Sequence, residues 1–184
     1  MRRLTYYVAT SIDGFISGPG GEFDFFPMAA DVMTALNAEW PETVPTQFRD
    51  QAGLTDTPNR HFDTVLMGRS TYELGSASPY AHLRQIVFSR TLTSPDPAVR
   101  IETDPVETVR TLKQEDGGLG IWLCGGADLA GQLLPEIDEL IVKRYPVVAG
   151  AGKPMFGTEF VPSPFTLAES RSFESGAVIS TYQR

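Results

Sequence analysis

Short apolar runs alternate with amphipathic segments along the chain. The runs are rich in β-branched and aromatic residues and predict strands at 4–9, 63–68, 85–89, 120–124 and 138–148. Apolar side chains at helical spacing predict a helix over 28–40, and a shorter helix falls within 46–52. Because strands that alternate with helices favour parallel βαβ units, the pattern predicts an α/β protein.

One helix carries start and stop signals of its own. Asp104 stands where an N-cap belongs, Pro105 takes the first helical position, and Glu107 follows three residues after the cap. Gly117-Gly118 then ends the segment. These signals predict a helix that starts at residue 105.

The last part of the chain predicts an antiparallel hairpin, formed by residues 165–173 and 177–183. We therefore expect a single domain over residues 1–184. Its central sheet is predicted to be mixed and mostly parallel, with helices on both faces and the hairpin at the C-terminus.

Composition adds limits to this outline. The chain has 184 residues, of which 41% are hydrophobic, so it can build a core without disulfides. Its single cysteine, Cys124, is predicted to be a small core residue, and we expect a cytoplasmic protein. His61 and His82 lack metal-binding spacing, so no metal site is predicted.

The charge balance bears on the partners. A net charge of -8 and a pI near 4.7 argue against nucleic acids and anionic membranes, because phosphate-rich surfaces attract basic faces. The N-terminal residues become polar too soon for a signal peptide, and no run reaches the ~18 to 20 apolar residues that span a bilayer. A small molecule is the partner that this balance leaves open.

A double glycine joins one predicted strand to the next predicted helix. Gly125 and Gly126 lie in "LCGGADLAG", where a backbone without Cβ atoms lets a ligand approach closely. Amide groups at a helix start also attract a phosphate. The spacing is not a full dinucleotide-binding fingerprint, so an ordinary strand-to-helix turn is an equal alternative. Asp128 would cap the helix, or would repel a phosphate if it pointed inward.

An arginine begins the helix that follows the second long strand. Gly68 ends that strand, and Arg69, Ser70 and Thr71 form the first helical turn. A cation at a helix N-terminus opposes the macrodipole, and an anionic ligand would remove this conflict. The alternative is an exposed arginine that pairs with Glu73 or with solvent.

Polar residues also end the next strand. Ser89, Arg90 and Thr91 offer hydroxyls and a cation, which suit a phosphate on a ribose. Taken alone, the tripeptide would be a solvated loop in most proteins. Three such strand ends in an acidic protein favour a dinucleotide over the carboxyl ends of the sheet.

The ordered set of motifs resembles the dihydrofolate reductase-like superfamily. The segments are "YYVATSIDGFISG", "VLMGRSTYE", "VFSRTL" and "LCGGADLAGQLL". They are most similar to the reductase domain of riboflavin biosynthesis and its stand-alone bacterial relatives, although the fused deaminase signature of the bifunctional riboflavin enzyme is missing. The resemblance implies a three-layer fold, often a homodimer, that binds NADPH. It also implies hydride transfer to a pyrimidine- or pteridine-like heterocycle, as in 5-amino-6-(5-phosphoribosylamino)uracil reductase or dihydrofolate reductase.

The resemblance further implies the cofactor contacts. Ala9 and Ile16 would border the nicotinamide, and Ser89 and Arg90 would contact the 2′-phosphate of the adenosine, which favours NADP over NAD. The phosphates would be held from two sides by Gly68, Arg69, Ser70, Thr71, Gly125, Gly126, Ala127 and Asp128.

Two carboxylates are candidate proton donors. Asp13 precedes Gly14, and its alternative role is to turn the chain. Asp24 stands among three phenylalanines, where burial would raise its pKa and the rings would stack on a flat heterocycle, so we expect Asp24 to contact the substrate. A non-catalytic nucleotide-binding module with the same fold is the alternative function.

Overall fold

The computed structural model describes residues 1–93 and 96–184. Its helices and strands are, in chain order, β1 (Leu4–Thr10), β2 (Phe15–Ser17), α1 (Ala30–Glu39), α2 (Thr46–Arg49), β3 (Phe62–Gly68), α3 (Arg69–Tyr72), β4 (Arg84–Phe88), β5 (Val99–Glu102), α4 (Pro105–Gln114), β6 (Gly120–Gly125), α5 (Ala127–Leu133), β7 (Glu139–Arg144), β8 (Lys153–Pro154), β9 (Thr166–Ser172) and β10 (Val178–Gln183). Turns of 3-10 helix lie at Pro41–Thr43 and Leu134–Glu136. Over the described ranges, every helix is too short or too polar to cross a bilayer.

Eight strands form one mixed sheet in the order β5-β4-β3-β6-β1-β7-β10-β9. The six strands from β5 to β7 pair in parallel, whereas β10 pairs antiparallel with both β7 and β9. A separate antiparallel pair joins β2 to β8. The mostly parallel sheet and the C-terminal hairpin confirm the predicted fold class.

Both faces of the sheet are covered, because successive side chains of a strand point to opposite sides. On one side, which we call the α1 face, Tyr7 and Trp122 pack with Leu36 of α1. On the other side, Tyr6 and Leu123 pack with residues of α4 and α5. Helices on both faces were predicted, and the structure confirms them.

Local signals succeeded where they were strong and failed where the element was short. The Asp104 carboxylate accepts a hydrogen bond from the N–H of Glu107 at 3.0 Å, as the predicted N-cap requires. Strands β2, β5 and β8 were not predicted, because runs of two to four residues carry no readable period. Strand β7 also ends at Arg144, before the predicted residue 148, and Pro146 follows without a backbone donor.

Candidate functional site

Three glycines and a threonine meet at the carboxyl edge of the sheet. A Cβ atom added to Gly68 would lie 3.5 Å from the amide nitrogen of Gly126 and 3.6 Å from the carbonyl oxygen of Gly125. One added to Gly126 would lie 3.4 Å from Oγ1 of Thr71. Gly125 has φ +135, which favours glycine, and its peptide bond to Gly126 is cis. We call Gly68, Thr71, Gly125 and Gly126 the glycine cradle.

Beside this cradle, a hydrogen bond joins the segment that follows β4 to the first residue of α3. Nη1 of Arg69 donates a hydrogen bond to Oγ1 of Thr91 at 2.8 Å. The Ser89 hydroxyl oxygen accepts hydrogen bonds from the backbone N–H groups of Thr91 and Leu92, at 3.2 and 3.0 Å. The three polar strand ends that the sequence singles out therefore lie on one edge of the sheet.

Two arginines at this edge differ in their partners. Nε of Arg69 pairs with the Glu73 carboxylate at 2.8 Å, which is the alternative that the sequence left open. Arg69 and Ser70 are both exposed. Arg90 is exposed too, and within the described part of the chain its guanidinium makes no hydrogen bond or ion pair. Arg90 is thus a guanidinium at this edge whose donors are not already used by the described residues.

A loop packs against the first turn of α5. The N–H of Gly157 donates to the carbonyl oxygen of Ala127 at 2.9 Å. The exposed Asp128 directs its carboxylate to the same loop, because Oδ1 lies only 2.6 Å from where a Cβ on Gly157 would stand. Ala127 is buried. The acidic side chain therefore faces the loop at Gly157.

The two residues assigned to the nicotinamide lie in different parts of the core. Ala9 is half-buried and packs against the cluster on the α1 face. Ile16, on β2, is half-buried and packs against the cluster of the opposite face. The cofactor contacts of both residues stay predictions.

Asp13 organises a turn. Its carboxylate accepts hydrogen bonds from the Ser11 hydroxyl at 2.6 Å and from the backbone N–H groups of Ala149 and Gly150 at 3.0 and 2.8 Å. The Ser11 bond first, and then the backbone bonds, lower the pKa of Asp13 to about 2. A carboxylate ionised at neutral pH is a poor proton donor, so the geometry favours the alternative role of turning the chain.

Replacing Asp13 by Asn is expected to lower the melting temperature at neutral pH, because an amide replaces the ionised acceptor of two backbone donors. A carboxyl whose folded pKa is depressed stabilises the fold above its unfolded pKa of 3.8, and this contribution fades as pH falls to about 2. Thermal unfolding at pH 7 and near pH 2 should therefore show the difference shrinking in acid. The matched control is Asp116→Asn, since Asp116 is exposed and accepts no hydrogen bond from the described residues.

The burial expected for Asp24 is wrong. Asp24 is exposed, and Phe23 beside it is 54% exposed. The chain instead turns Phe25 and Phe26 inward, where their tilted rings pack with centroids 4.3 Å apart and the ring of Phe26 lies 5.3 Å from that of Tyr145. Two inward aromatics leave the preceding carboxylate in solvent, so burial does not prepare it to donate a proton. Its contact with a substrate stays a prediction.

A lysine that the sequence analysis did not single out lies on the α1 face. Lys143 is half-buried on β7 in register with Ala9, and its Nζ stands 3.8 Å from the ring centroid of Tyr7. Burial lowers the pKa of Lys143 to about 7, and the nearby Cys124 thiol opposes this only in part. The available signal was strand alternation, because it places Lys143 on the same face of β7 as the buried Ile141.

Cys124 was predicted to be a small core residue. It is half-buried and packs against the cluster on the α1 face, in agreement with that prediction. Burial raises the pKa of its thiol to about 11, although Lys143 and Tyr80 counteract the effect. The thiol is therefore protonated at neutral pH and is a poor nucleophile.

A cavity of about 550 Å³ opens at the opposite, amino edge of the sheet and is lined in part by Arg2, His61 and Glu115. Its charges serve the fold, because Arg2 pairs with Asp63 and, at 2.8 Å, with Glu115. Ligands of open α/β sheets bind outside the carboxyl ends of the strands. The carboxyl edge is therefore the candidate site.

A known protein family matches nearly the whole chain. The model of the family described as "RibD C-terminal domain" matches residues 2–179. This chain belongs to the RibD C-terminal domain family. Similar proteins include two of Bacillus subtilis (strain 168), "Uncharacterized protein YyaP" and "Uncharacterized protein YwjB". YyaP is 32% identical over 98% of this chain and 94% of its own, and YwjB is 29% identical over 84% of this chain and 83% of its own.

Two solved structures share the fold of this RibD C-terminal domain. A putative riboflavin biosynthesis protein from Shewanella sp. PV-4 superposes with a TM-score of 0.69 at 24% identity, over 100% of this chain and 99% of that one. A diaminohydroxyphosphoribosylaminopyrimidine deaminase/5-amino-6-(5-phosphoribosylamino)uracil reductase from Thermotoga maritima gives 0.65 at 15% identity, over 99% of this chain and 56% of that one. At these identities the likeness concerns the fold.

Proposed function

We propose that this RibD C-terminal domain protein is an NADPH-dependent oxidoreductase that reduces a small pyrimidine- or pteridine-like heterocycle. The observation that carries the proposal is the glycine cradle, which brings the ends of β3 and β6 together at the edge where open sheets bind ligands. The names of the Thermotoga and Shewanella proteins, which refer to a reductase and to riboflavin biosynthesis, support the same class of substrate.

The cradle suits a dinucleotide phosphate because its glycines carry no Cβ atoms beside the start of α5. A methyl group on Gly126 would lie 3.4 Å from the Thr71 hydroxyl, so it would take up space that a ligand could use. Backbone N–H groups beside a helix start bind phosphate oxygens without a side chain. When bound, NADPH would supply the hydride for the reduction. The protein's part is to hold the nucleotide phosphates, orient the acceptor and exclude water.

Titration with NADPH, followed by nicotinamide fluorescence, tests the binding half of the proposal. Loss of nicotinamide absorbance with 5-amino-6-(5-phosphoribosylamino)uracil or 7,8-dihydrofolate as the acceptor tests turnover. Binding without turnover of any such heterocycle would favour the non-catalytic nucleotide-binding module. Absence of binding would refute both readings of the cradle.

Arg90 is proposed to select NADPH over NADH. Replacing Arg90 by Ala is expected to weaken NADPH about tenfold or more, because a charge-assisted hydrogen bond to the 2′-phosphate is lost. The affinity for NADH, which lacks that phosphate, should change little, and fluorescence titrations with both cofactors measure the ratio.

The matched control for this prediction is Arg100→Ala. Arg100 is an exposed arginine on the neighbouring strand β5, where it pairs with Glu102. Equal losses of both cofactors in the Arg90 variant, or an equal effect of the Arg100 variant, would remove the assignment.

Two further expectations stay predictions. The homodimer would most simply use the edge strand β9 and the segment before it, where Phe160, Val161 and Leu167 are exposed. A cytoplasmic location agrees with a protein whose single cysteine has no disulfide partner.

A further inference from the structure

Lys143 differs from the other two lysines of the chain. Lys113 donates to the Glu136 carbonyl oxygen and pairs with Asp138, and Lys153 is exposed. Lys143 is half-buried, and within residues 1–93 and 96–184 its Nζ makes no hydrogen bond and no ion pair. An ammonium withdrawn from water without a counter-ion is unusual, since buried charges are normally paired.

The groups that face this amine carry no negative charge at neutral pH. Tyr7 on β1 lies under Nζ, and burial holds its pKa far above the ordinary value. The Cys124 thiol on β6 also keeps its proton, and Ile179 of β10 stands in register with Lys143. Tyr145, two residues along β7, has its pKa raised by burial as well.

The carboxylates of the α1 layer are engaged elsewhere. Glu39 pairs with Arg171 at 3.0 Å. Glu42 is buried and accepts hydrogen bonds from the backbone N–H groups of His61 and Phe62. Within the described residues, the surroundings of Lys143 are therefore mainly aromatic and apolar, and Nζ contacts the ring face of Tyr7.

Lys143 lies near the end of β7, in register with Ala9 near the end of β1, and Cys124 directly precedes the cradle glycines on β6. The amine therefore stands on the α1 face at the same edge of the sheet as the glycine cradle. Phe25, which is half-buried and packs against the cluster on this face, supplies aromatic surface there, whereas Phe26 and Tyr145 are buried behind it in the core. A flat ring bound there would have an aromatic neighbour and one polar donor.

We propose that Lys143 is a catalytic residue of this site, whose Nζ donates a proton to the ring nitrogen or carbonyl oxygen of a flat heterocyclic acceptor. The inference rests on the proposed reductase function and names the acceptor group that the protein recognises. Neither candidate carboxylate fills this role, because Asp24 is exposed and Asp13 is held ionised by its hydrogen bonds.

The proton balance is simple. Reduction of a C=N or C=O bond places hydride from NADPH on the carbon and a proton on the heteroatom. With Lys143 as the donor, one Nζ–H bond breaks, one heteroatom–H bond forms, and the neutral amine regains a proton from water. Burial lowers the pKa of this amine to about 7, so the amine can give up and regain a proton at neutral pH.

Competitive acetylation of the three lysines, read by mass spectrometry across a pH series, tests the state of the amine. Lys143 is expected to reach half of its maximal reactivity near pH 7, and exposed Lys153 serves as the internal control. Adding pterin together with NADP⁺ should protect Lys143 about tenfold and leave Lys153 unchanged. The proposal is overturned if acetylation of Lys143 and Lys153 follows the same pH profile, or if pterin does not protect Lys143.

Two variants separate proton donation from packing. In the full-length protein, Lys143→Met should weaken pterin about tenfold with unchanged NADPH affinity. In the natural protein, pterin affinity should change near neutral pH as Lys143 gains or loses its proton. In Lys143→Arg this change should be absent, because the guanidinium keeps its charge. This comparison corrects for titration of pterin itself. Identical pH profiles of the two proteins contradict the inference, and failure of NADPH to bind contradicts the proposed function instead.

Discussion

Replacing Gly126 by valine is expected to reduce the affinity for NADPH by about 100-fold or more. The backbone at Gly126 has φ -90 and ψ -161, which any residue adopts, so the fold should survive. The added side chain, however, would enter the space between β6 and Thr71, whose hydroxyl lies 3.4 Å from the first added atom. A phosphate could then no longer approach the amide groups. Fluorescence titration with NADPH measures the loss.

Alanine at the same position gives a finer test. Gly126→Ala should weaken NADPH by about tenfold, while the melting temperature and the circular dichroism spectrum report on the fold. Thr71→Ala alone measures what the loss of that hydroxyl costs in affinity. A loss of affinity in Gly126→Ala with an unchanged melting temperature assigns the effect to the cradle and not to the fold. Unchanged NADPH affinity in the valine variant contradicts the assignment.

Replacing Lys143 by methionine is expected to stabilise the protein at pH about 6, because methionine fills a similar volume without a charge to desolvate. At about 1.4 kcal/mol per pKa unit, the shift from 10.5 to about 7 limits the gain to about 5 kcal/mol. Partial exposure to solvent reduces this limit to a few kcal/mol, a rise of roughly 5 °C in the melting temperature.

The pH dependence gives this prediction its sign. Between about pH 7 and pH 10.5 the unfolded chain binds more protons at Lys143 than the folded chain, so the natural protein gains stability as pH rises. The advantage of Lys143→Met should therefore be largest below pH 7 and should vanish above 10.5. Thermal unfolding across this range measures it, with Lys153→Met as the exposed control. A constant difference at every pH would show that Lys143 titrates normally.

The stability of Lys143→Met and its affinity for pterin can be compared in the same variant. Residues that destabilise a fold are retained where function requires them, and a buried cation without a partner is such a cost. Lys143→Met is expected to combine higher stability with lower acceptor affinity. A gain in stability with unchanged pterin affinity would leave the lysine without a functional explanation.

The sequence by itself determined the strands of the main sheet except β5, together with the capped helix α4 and the C-terminal hairpin. Periodicity and capping act over a few neighbouring residues, so they can be read without the tertiary fold. The same local reasoning singled out Gly68, Gly125 and Gly126 as candidate ligand contacts, because each lies where a predicted strand meets a predicted helix.

Only the tertiary structure decided which side chains that are distant in sequence contact one another around the candidate site. It placed Thr71 against Gly126, paired Arg69 with Glu73, and turned Phe25 and Phe26 inward while Asp24 stayed in solvent. It also set Lys143 over Tyr7, where no residue of the described ranges forms an ion pair with it. Burial and pKa depend on neighbours that are remote in sequence, and strand pairing across β6, β1 and β7 brings those neighbours together.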